Sequence, residues 1–246
     1  MPTPNYAAPA ADESHRLLLW PGLAADHRLC GPLLAHLPEA GVTAINEPKP
    51  DEPMRDYARR YAETLRSELP EDGRYAVGGF SFGGQLAMEL AAVLDPTPLG
   101  IILICGVRGT HQISDAFKRQ QRLGSMIPSF IAKKVYVPFA RNFARRDRLD
   151  PASAELLLDM ARDIDPAFLN WSSLACASWP GPPEGLDIPI RHVHGELDQI
   201  IPDVRGEADE TIEGARHLIS LTHPREVANF IQRSLKTFNL ERADGR

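Results

Sequence analysis

The chain has 246 residues and a formal net charge of −6, with 43% hydrophobic and 24% charged residues. These values are ordinary for a globular protein and leave room for one large α/β domain or two small ones. The acidic balance, without a recognition motif, argues against nucleic-acid binding, and no apolar run is long enough for a membrane span.

The three cysteines are isolated from one another. Cys30, Cys105 and Cys176 do not have the paired spacing of a zinc site, and an odd number argues against a disulfide framework. We therefore expect buried thiols and no metal. Residues 1–14 are rich in alanine and proline and have no apolar core of a signal peptide, so we expect a disordered segment and a cytoplasmic location.

The predicted elements alternate between strands and helices along most of the chain. Strands are predicted at Leu17–Trp20, Val42–Ile45, Tyr75–Val77, Leu99–Ile104, Ile190–His194 and Asp209–Ile212, and helices at Arg28–Leu37, Met54–Leu69, Gln85–Leu94 and Pro224–Leu240. Continuous apolar runs such as Leu17–Trp20 are typical of strands buried on both faces. The alternation predicts an α/β fold, with a mostly parallel central sheet and helices on both faces.

This alternation stops between Val107 and Gly185, where no convincing strand is found. Three helices are predicted there, at Ser114–Leu123, Ser129–Phe143 and Ala152–Ala161. Helices inserted between two strands are expected to cover the sheet edge at which α/β proteins bind ligands. We therefore expect a core of residues 15–107 and 186–246, with a helical cap of residues 108–185.

The charge also reverses in this insertion. Residues 108–148 hold ten Lys or Arg and two Asp, a net charge of +8, whereas the rest of the chain carries −14. One interpretation is that the cap docks an anionic substrate or an acidic carrier, since complementary charge steers encounter. The other is a solvated cationic face paired with the acidic body, and the sequence leaves both open.

The segment Gly79-Phe80-Ser81-Phe82-Gly83 lies between a predicted strand and a predicted helix and matches the pattern G-x-S-x-G. The serine of this pattern occupies a sharp turn and projects its hydroxyl outward. Glycine two positions before and after the serine lets the strand and helix backbones approach each other. Ser81 is therefore the candidate nucleophile.

A serine nucleophile needs an imidazole to take its proton and an acid to orient that imidazole. Asp198 follows a predicted strand and a glycine turn and is assigned as the acid, with Glu196 as the alternative. His217, in the loop before the last helix, is assigned as the base. His192 and His194, on or at the end of a predicted strand, are interpreted as structural histidines, and His223 as an exposed residue at the entry to the last helix.

An oxyanion hole needs two backbone N–H groups aimed at the developing charge. Phe82 follows the nucleophile and is the first candidate donor. The second comes from the loop Trp20-Pro21-Gly22 after the first strand, where we assign Leu23 with Ala24 as the alternative. A plain Pro-Gly turn would explain this loop equally well.

Four motifs together resemble the α/β-hydrolase fold family over roughly residues 17–240: Pro21-Gly22-Leu23, the Gly79–Gly83 turn, His194–Asp198, and His217 with Pro224. The resemblance implies a Ser81–Asp198–His217 triad, a helical cap, and a serine hydrolase that needs no metal or organic cofactor. Two features depart from the family pattern. Trp20-Pro21-Gly22 stands in place of the usual His-Gly of the oxyanion loop, and only 19 positions separate Asp198 from His217.

Within the family, the chain is similar in size and cap position to small carboxylesterases such as the pimeloyl-carrier-protein methyl ester esterase. The resemblance implies cleavage of an ester or thioester of a small or carrier-bound acyl group, and the carrier would be acidic. A C–C bond hydrolase and a binding protein with little turnover stay open. Apolar cap residues are candidates for the acyl pocket: Met126, Phe130, Phe139 and Trp171.

Overall fold

The computed structural model describes residues 15–43, 47–202 and 206–239. Within these ranges six strands form one sheet: β1 Leu17–Trp20, β2 Ala40–Val42, β3 Ala76–Phe80, β4 Ile101–Ile104, β5 Ile190–Gly195 and β6 Glu210–Ile212. The strand order is β2-β1-β3-β4-β5-β6, and every neighbouring pair is parallel. The predicted parallel α/β fold is confirmed.

Helices cover both faces of this sheet. They are α1 Gly31–Leu34, α2 Met54–Leu65, α3 Phe82–Ala91, α4 Asp115–Ser125, α5 Ser129–Arg146, α6 Pro151–Asp163, α7 Pro166–Ser178, α8 Ile219–Thr222 and α9 Pro224–Thr237. Short 3-10 segments at His27–Cys30, Arg66–Glu68 and Thr110–Gln112 join them. None of the described helices has both the length and the apolar character needed to cross a membrane.

The first strand shows why helices must pack on both faces of the sheet. Leu17 and Leu19 pack into one apolar core with α1 and α9, whereas Leu18 and Trp20 pack into the other with α2 and α3. Successive side chains of a strand point to opposite faces, so an apolar run fills both cores at once.

Several predicted elements differ from the structure. The helix predicted at Arg28–Leu37 is a 3-10 segment followed by the short α1, the third strand extends to Phe80, and α3 begins at Phe82 rather than Gln85. The second strand lies at Ala40–Val42 rather than Val42–Ile45, and Ile45 falls outside the described residues. The insertion between β4 and β5 holds four helices instead of three, because Pro166–Ser178 forms α7. Asp165 caps this helix by accepting the Ala167 N–H at 2.9 Å, and Pro166 occupies its first turn.

The chain turns from β3 into α3 within one residue, and the two elements touch at glycine. A Cβ on Gly79 would overlap the backbone of Gly83, and a Cβ on Gly83 would overlap the carbonyl oxygen of Trp20. No side chain fits between these backbones, so the glycines fix the angle at which helix α3 leaves the sheet.

Replacing Gly79 by alanine is expected to reduce the free energy of unfolding by about 3 kcal/mol or more, because the methyl group must displace backbone. For a domain of this size the melting temperature should fall by roughly 6–12 °C. The matched control is Gly106→Ala, since an added Cβ there meets its nearest neighbour, Leu103 Cβ, at 3.5 Å. Thermal unfolding of both variants checks this prediction. Equal falls in melting temperature would contradict a special role for the close approach of Gly79 to the Gly83 backbone.

Candidate active site

Ser81 occupies the turn between β3 and α3 in a strained backbone conformation, with φ 52° and ψ −114°. Its N–H donates to the Ile104 carbonyl at 2.9 Å, and its own carbonyl accepts the Gly84 N–H at 2.9 Å. Such a conformation costs about 1–3 kcal/mol and persists only where the surroundings hold it. Strain of this kind concentrates at functional sites.

The loops after β5 and β6 bring an acid and an imidazole together. Asp198 Oδ2 lies 2.7 Å from His217 Nδ1, and both side chains are buried. The other carboxylate oxygen, Oδ1, accepts the N–H groups of Ile200 and Ile201 at 2.7 and 3.2 Å. A histidine that donates Nδ1–H to a carboxylate presents Nε2 as a proton acceptor. This is the tautomer that a general base requires.

Asp198 is an anion despite its burial. Desolvation alone would raise the pKa of its carboxyl group, but the charges and hydrogen bonds of His217 and His194 outweigh it, and the net pKa lies well below the ordinary range of aspartate. The carboxylate is therefore ionised at neutral pH and can stabilise a protonated His217.

A second imidazole contacts the same carboxylate. His194 Nε2 lies 3.1 Å from Asp198 Oδ2, and His194 Nδ1 lies 3.3 Å from His192 Nε2. Burial, followed by the charge of His194, lowers the pKa of His192 to about 3, so His192 is neutral. We interpreted both histidines as structural and did not anticipate their link to the acid. The readable signal was their i, i+2 spacing, which places them on one face of β5.

One group of described residues has the atom types of a metal site. Ligand atoms of Cys105, His194 and Asp198 lie within 4.8 Å of one another, and all three residues are buried. Burial and the charge of Asp198 raise the pKa of the Cys105 thiol well above its ordinary value, so the thiol stays protonated. Metals bind the thiolate. Both oxygens of Asp198 already have partners, two backbone N–H groups and two imidazoles, so the three residues form part of a packed polar cluster around Asp198.

A cavity of about 390 Å³ opens beside Ser81 and His217. It is enclosed by the loop after β1, by α4, α5 and α6, and by the loop that carries His217. Most of its walls are apolar, with Leu23, Phe139 and Leu157 on different sides. The predicted nucleophile and base thus line one apolar cavity.

The predicted oxyanion donors border this region. Leu23 and the alternative Ala24 line the large cavity, and Ala24 has a φ of 60° that turns the loop sharply. Phe82 is the first residue of α3, so its N–H belongs to the first-turn amides that have no acceptor within a helix. Phe82 also lines a smaller cavity of about 20 Å³ next to Ser81, which is about the size of one water molecule.

The four residues predicted for the acyl pocket lie in different places. Phe139 lines the cavity. Met126 and Phe130 are exposed to solvent at the turn between α4 and α5 and are not among the lining residues. Trp171 is buried between α7 and α2, where its Nε1–H donates to the Glu52 carbonyl at 2.7 Å. Apolar side chains at helical spacing reveal a buried or exposed face, but not which neighbour that face meets.

The alternatives to Asp198 and His217 have other partners. Glu196 accepts the Gly214 N–H at 2.8 Å and is exposed, so Asp198, and not Glu196, contacts His217. His223 lies at the start of α9, with its Nδ1 2.8 Å from the Thr222 hydroxyl.

Asp147 was not predicted from the sequence, and it joins the inserted helices to the loop of the base. It lies at the end of α5, is buried, and accepts the Leu218 N–H on Oδ2 at 2.8 Å. Burial raises the pKa of its carboxyl group, an effect that the Leu218 N–H and the charge of His217 partly offset. Leu218 directly follows His217, so Asp147 fixes the backbone beside the imidazole. Its sequence neighbours are all basic or apolar and give no signal of this role.

Comparison with known proteins places this geometry in context. The profile of the alpha/beta hydrolase family matches residues 9–230. A stretch of 64 residues is 38% identical to the nonribosomal peptide synthetase agiA of Aspergillus flavus. That match covers 24% of this chain and 1% of the length of that protein.

Several solved structures share the fold. A thermophilic esterase from Thermogutta terrifontis is 20% identical, with a TM-score of 0.69 over 93% of this chain and 92% of that one. A hydrolase from Pseudomonas aeruginosa is 16% identical, with a TM-score of 0.70 over 92% of each chain. The RedJ thioesterase of the prodiginine pathway in Streptomyces coelicolor is 20% identical, with a TM-score of 0.59 over 96% of each chain. At these identities the likeness shows the fold alone.

The contact between Asp147 and Leu218 can be tested by two substitutions of similar size. Asp147→Asn keeps an acceptor for the Leu218 N–H and removes the buried charge, so at neutral pH the variant should melt no lower than the parent. Because burial raises the pKa of Asp147, the folded parent takes up a proton first as the pH falls, and its stability relative to Asp147→Asn should rise.

Asp147→Leu leaves the Leu218 N–H buried without an acceptor, which costs about 1–3 kcal/mol. Thermal unfolding of the three proteins across pH 5 to 8 would measure both effects. Equal melting temperatures for Asp147→Leu and Asp147→Asn would contradict a structural role for this hydrogen bond.

Proposed function

The chain belongs to the alpha/beta hydrolase family, and we propose that it is a serine hydrolase that cleaves carboxylic esters or thioesters through an acyl-enzyme on Ser81. The observation that carries the proposal is the buried Asp198–His217 pair, with 2.7 Å between carboxylate and imidazole, beside a cavity that Ser81 also lines. The structural neighbours include an esterase and a thioesterase, and an acyl-enzyme on serine serves both substrate types.

In the proposed mechanism, His217 Nε2 takes the Ser81 hydroxyl proton while Asp198 holds the imidazole and stabilises its positive charge. The Ser81 oxygen attacks the acyl carbonyl, and the N–H groups of Leu23 and Phe82 hold the oxyanion. His217 then gives its proton to the departing alcohol or thiol. Water enters, loses a proton to His217 and releases the acid from Ser81 by the same steps.

The size and apolar walls of the large cavity support the proposal that the substrate binds through an acyl chain. Its volume of about 390 Å³ falls in the range of roughly 300–1,000 Å³ that is typical of small-molecule sites, and its walls are mostly apolar. Phe139, Phe143 and Leu157 would contact the chain, while the smaller cavity beside Phe82 would receive the attacking water.

Other sequence predictions stay predictions. They are the division into core and helical cap at residues 108–185, the acidic acyl carrier as a partner, the absence of a cofactor and the cytoplasmic location. The acidic carrier is supported by the +8 charge of residues 108–148.

Ser81→Ala tests the nucleophile. We expect hydrolysis of p-nitrophenyl esters to fall by on the order of 10⁴- to 10⁶-fold, and covalent labelling by a fluorophosphonate to be lost, because the attacking oxygen is gone. Ser178→Ala, an exposed serine on α7, is the matched control and should keep both. Turnover of a series of p-nitrophenyl esters by the parent measures the length of acyl chain that the cavity accepts.

The alternatives give different results in the same assay. A fluorophosphonate adduct that persists in Ser81→Ala would contradict the assignment of the nucleophile. An adduct at Ser81 without turnover of any ester would favour a binding protein, and cleavage of carbon–carbon bonds in preference to esters would favour a C–C bond hydrolase.

Asp198→Asn tests the acid. The amide can still accept the N–H groups of Ile200 and Ile201, but it cannot hold His217 as an ionised carboxylate does, so kcat should fall by about 10⁴-fold. Glu196→Gln is the matched control and should stay within about fivefold of the parent, since Glu196 is exposed and accepts the Gly214 N–H. Steady-state kinetics on one ester would decide, and a larger loss in Glu196→Gln would reverse the assignment.

A further inference from the structure

The turn between α4 and α5 carries the most exposed large apolar side chains among the described residues. Leu123 is 70% exposed, Met126 76% and Phe130 84%. Scattered single apolar side chains are normal on protein surfaces, but three that protrude from the same turn point to an interaction site. We refer to Leu123, Met126 and Phe130 as the apolar tip.

The apolar tip continues into the cavity. Val135 and Phe139 on α5 are 44% and 47% exposed, and both also line the cavity beside Ser81. Leu123 belongs to the apolar tip and to the cavity wall alike. Apolar side chains thus lead from the outside of the turn into the wall of the cavity that Ser81 also lines.

Cations accompany the apolar tip at helical spacing. Arg119 lies four residues before Leu123 and Arg122 four residues before Met126, while Lys134 lies four residues after Phe130. Side chains four apart are neighbours on a helix surface, so each tip residue has a cation beside it.

Five cations of α4 and α5 are exposed and form no ion pair with a described residue: Arg119, Arg122, Lys134, Arg141 and Arg145. Some exposed arginines elsewhere among the described residues pair with acids, as Arg59 does with Asp56 at 2.8 Å, whereas Arg66 and Arg225 do not. Of the five cations, Arg119, Arg122 and Lys134 lie beside the apolar tip, whereas Arg141 and Arg145 lie farther along α5. The three cations beside the tip are thus available to an external anion.

We propose that the apolar tip and these cations dock the protein on an anionic lipid surface. A basic helix face with protruding Phe, Leu and Met side chains binds the interface between headgroups and acyl chains, where Lys and Arg stay at the phosphates. The docking rests on the surface alone. Its consequence rests on the proposed function: an acyl substrate would pass from the lipid along Val135 and Phe139 to Ser81 without crossing water.

Other occupants match the surface less well. A second copy of the chain would bring the same cations face to face, which electrostatic repulsion opposes. An acidic protein would satisfy the charges but would need pockets for three side chains that protrude at 70–84% exposure. A bilayer takes up protruding apolar side chains without a complementary shape.

The experiment is co-sedimentation of the full chain with vesicles. In this experiment every protein carries Ser81→Ala, and the Ser81→Ala protein without further substitutions is called the parent. Vesicle lipids are then not hydrolysed, and binding does not depend on turnover. Vesicles of equal parts phosphatidylcholine and phosphatidylglycerol should bind the protein, whereas pure phosphatidylcholine should bind it weakly. Raising the salt concentration should reduce binding to the anionic vesicles.

Two sets of substitutions separate the apolar and charge contributions. Serine at Leu123, Met126 and Phe130 together should lower the partition coefficient by at least about tenfold, because apolar area is no longer buried. Glutamine at Arg119, Arg122 and Lys134 together should lower it by roughly 10- to 100-fold.

The matched control is glutamine at three exposed cations that lie outside the inserted helices and form no ion pair with a described residue: Arg66, Arg225 and Lys236. This control removes the same net charge and should bind like the parent. Equal losses in the control and in the Arg119, Arg122 and Lys134 variant would show a nonspecific charge effect and overturn the proposal.

Three further results would also overturn it. The parent could fail to bind anionic vesicles, the apolar tip variant could bind as well as the parent, or a purified acyl carrier protein could bind where vesicles do not. A fourth result would come from sedimentation velocity. If the unsubstituted chain formed a dimer and the apolar tip variant did not, the tip would be a protein interface and the proposal would be overturned. If vesicle binding fails while the unsubstituted chain hydrolyses p-nitrophenyl esters, the docking proposal falls and the proposed function stands.

Discussion

The rest of the site depends on one buried carboxylate. Asp198 is 0% exposed, and an unpaired anion at such a place would cost several kcal/mol. Two backbone N–H groups hold one of its oxygens, and the imidazoles of His217 and His194 lie against the other. These partners come from the ends of two parallel strands and the loops that follow them. The sheet order that brings β5 beside β6 is therefore what keeps Asp198 ionised and orients His217.

The inserted helices belong to this arrangement as much as the sheet does. Asp147, at the end of α5, accepts the backbone N–H next to His217, so movement of α5 would also move the base. Phe143 of the same helix lies 6.0 Å from the His217 ring, centroid to centroid, and lines the cavity. One helix thus shapes the proposed acyl site and supports the imidazole.

Local pattern was sufficient for some features and not for others. Both ends of the strand Leu17–Trp20 were predicted correctly, because a short apolar run between polar segments is compatible with few structures other than a buried strand. The G-x-S-x-G pattern located Ser81 because the backbone approach at the turn demands glycine. Helix α7 was missed, since it is buried on several sides and lacks a clear polar face, although the Asp165–Pro166 cap was readable. The contact of Asp147 with Leu218 depends on how distant loops fold back, which residue periodicity does not encode. The contact of His194 with Asp198, four residues later, depends on the tight turn between them rather than on a helical or strand repeat.

We propose that Ser81, the Asp198–His217 pair and the cavity form one reacting site. The decisive measurement is a crystal structure of the protein after reaction with a long-chain alkyl fluorophosphonate, which loses fluoride when serine attacks. We expect a phosphorus atom bonded to Ser81 Oγ, a phosphonyl oxygen within hydrogen-bond distance of the Leu23 and Phe82 N–H groups, and an alkyl chain inside the cavity. Phosphorus on another residue, or a phosphonyl oxygen directed to solvent away from both N–H groups, would contradict the proposal.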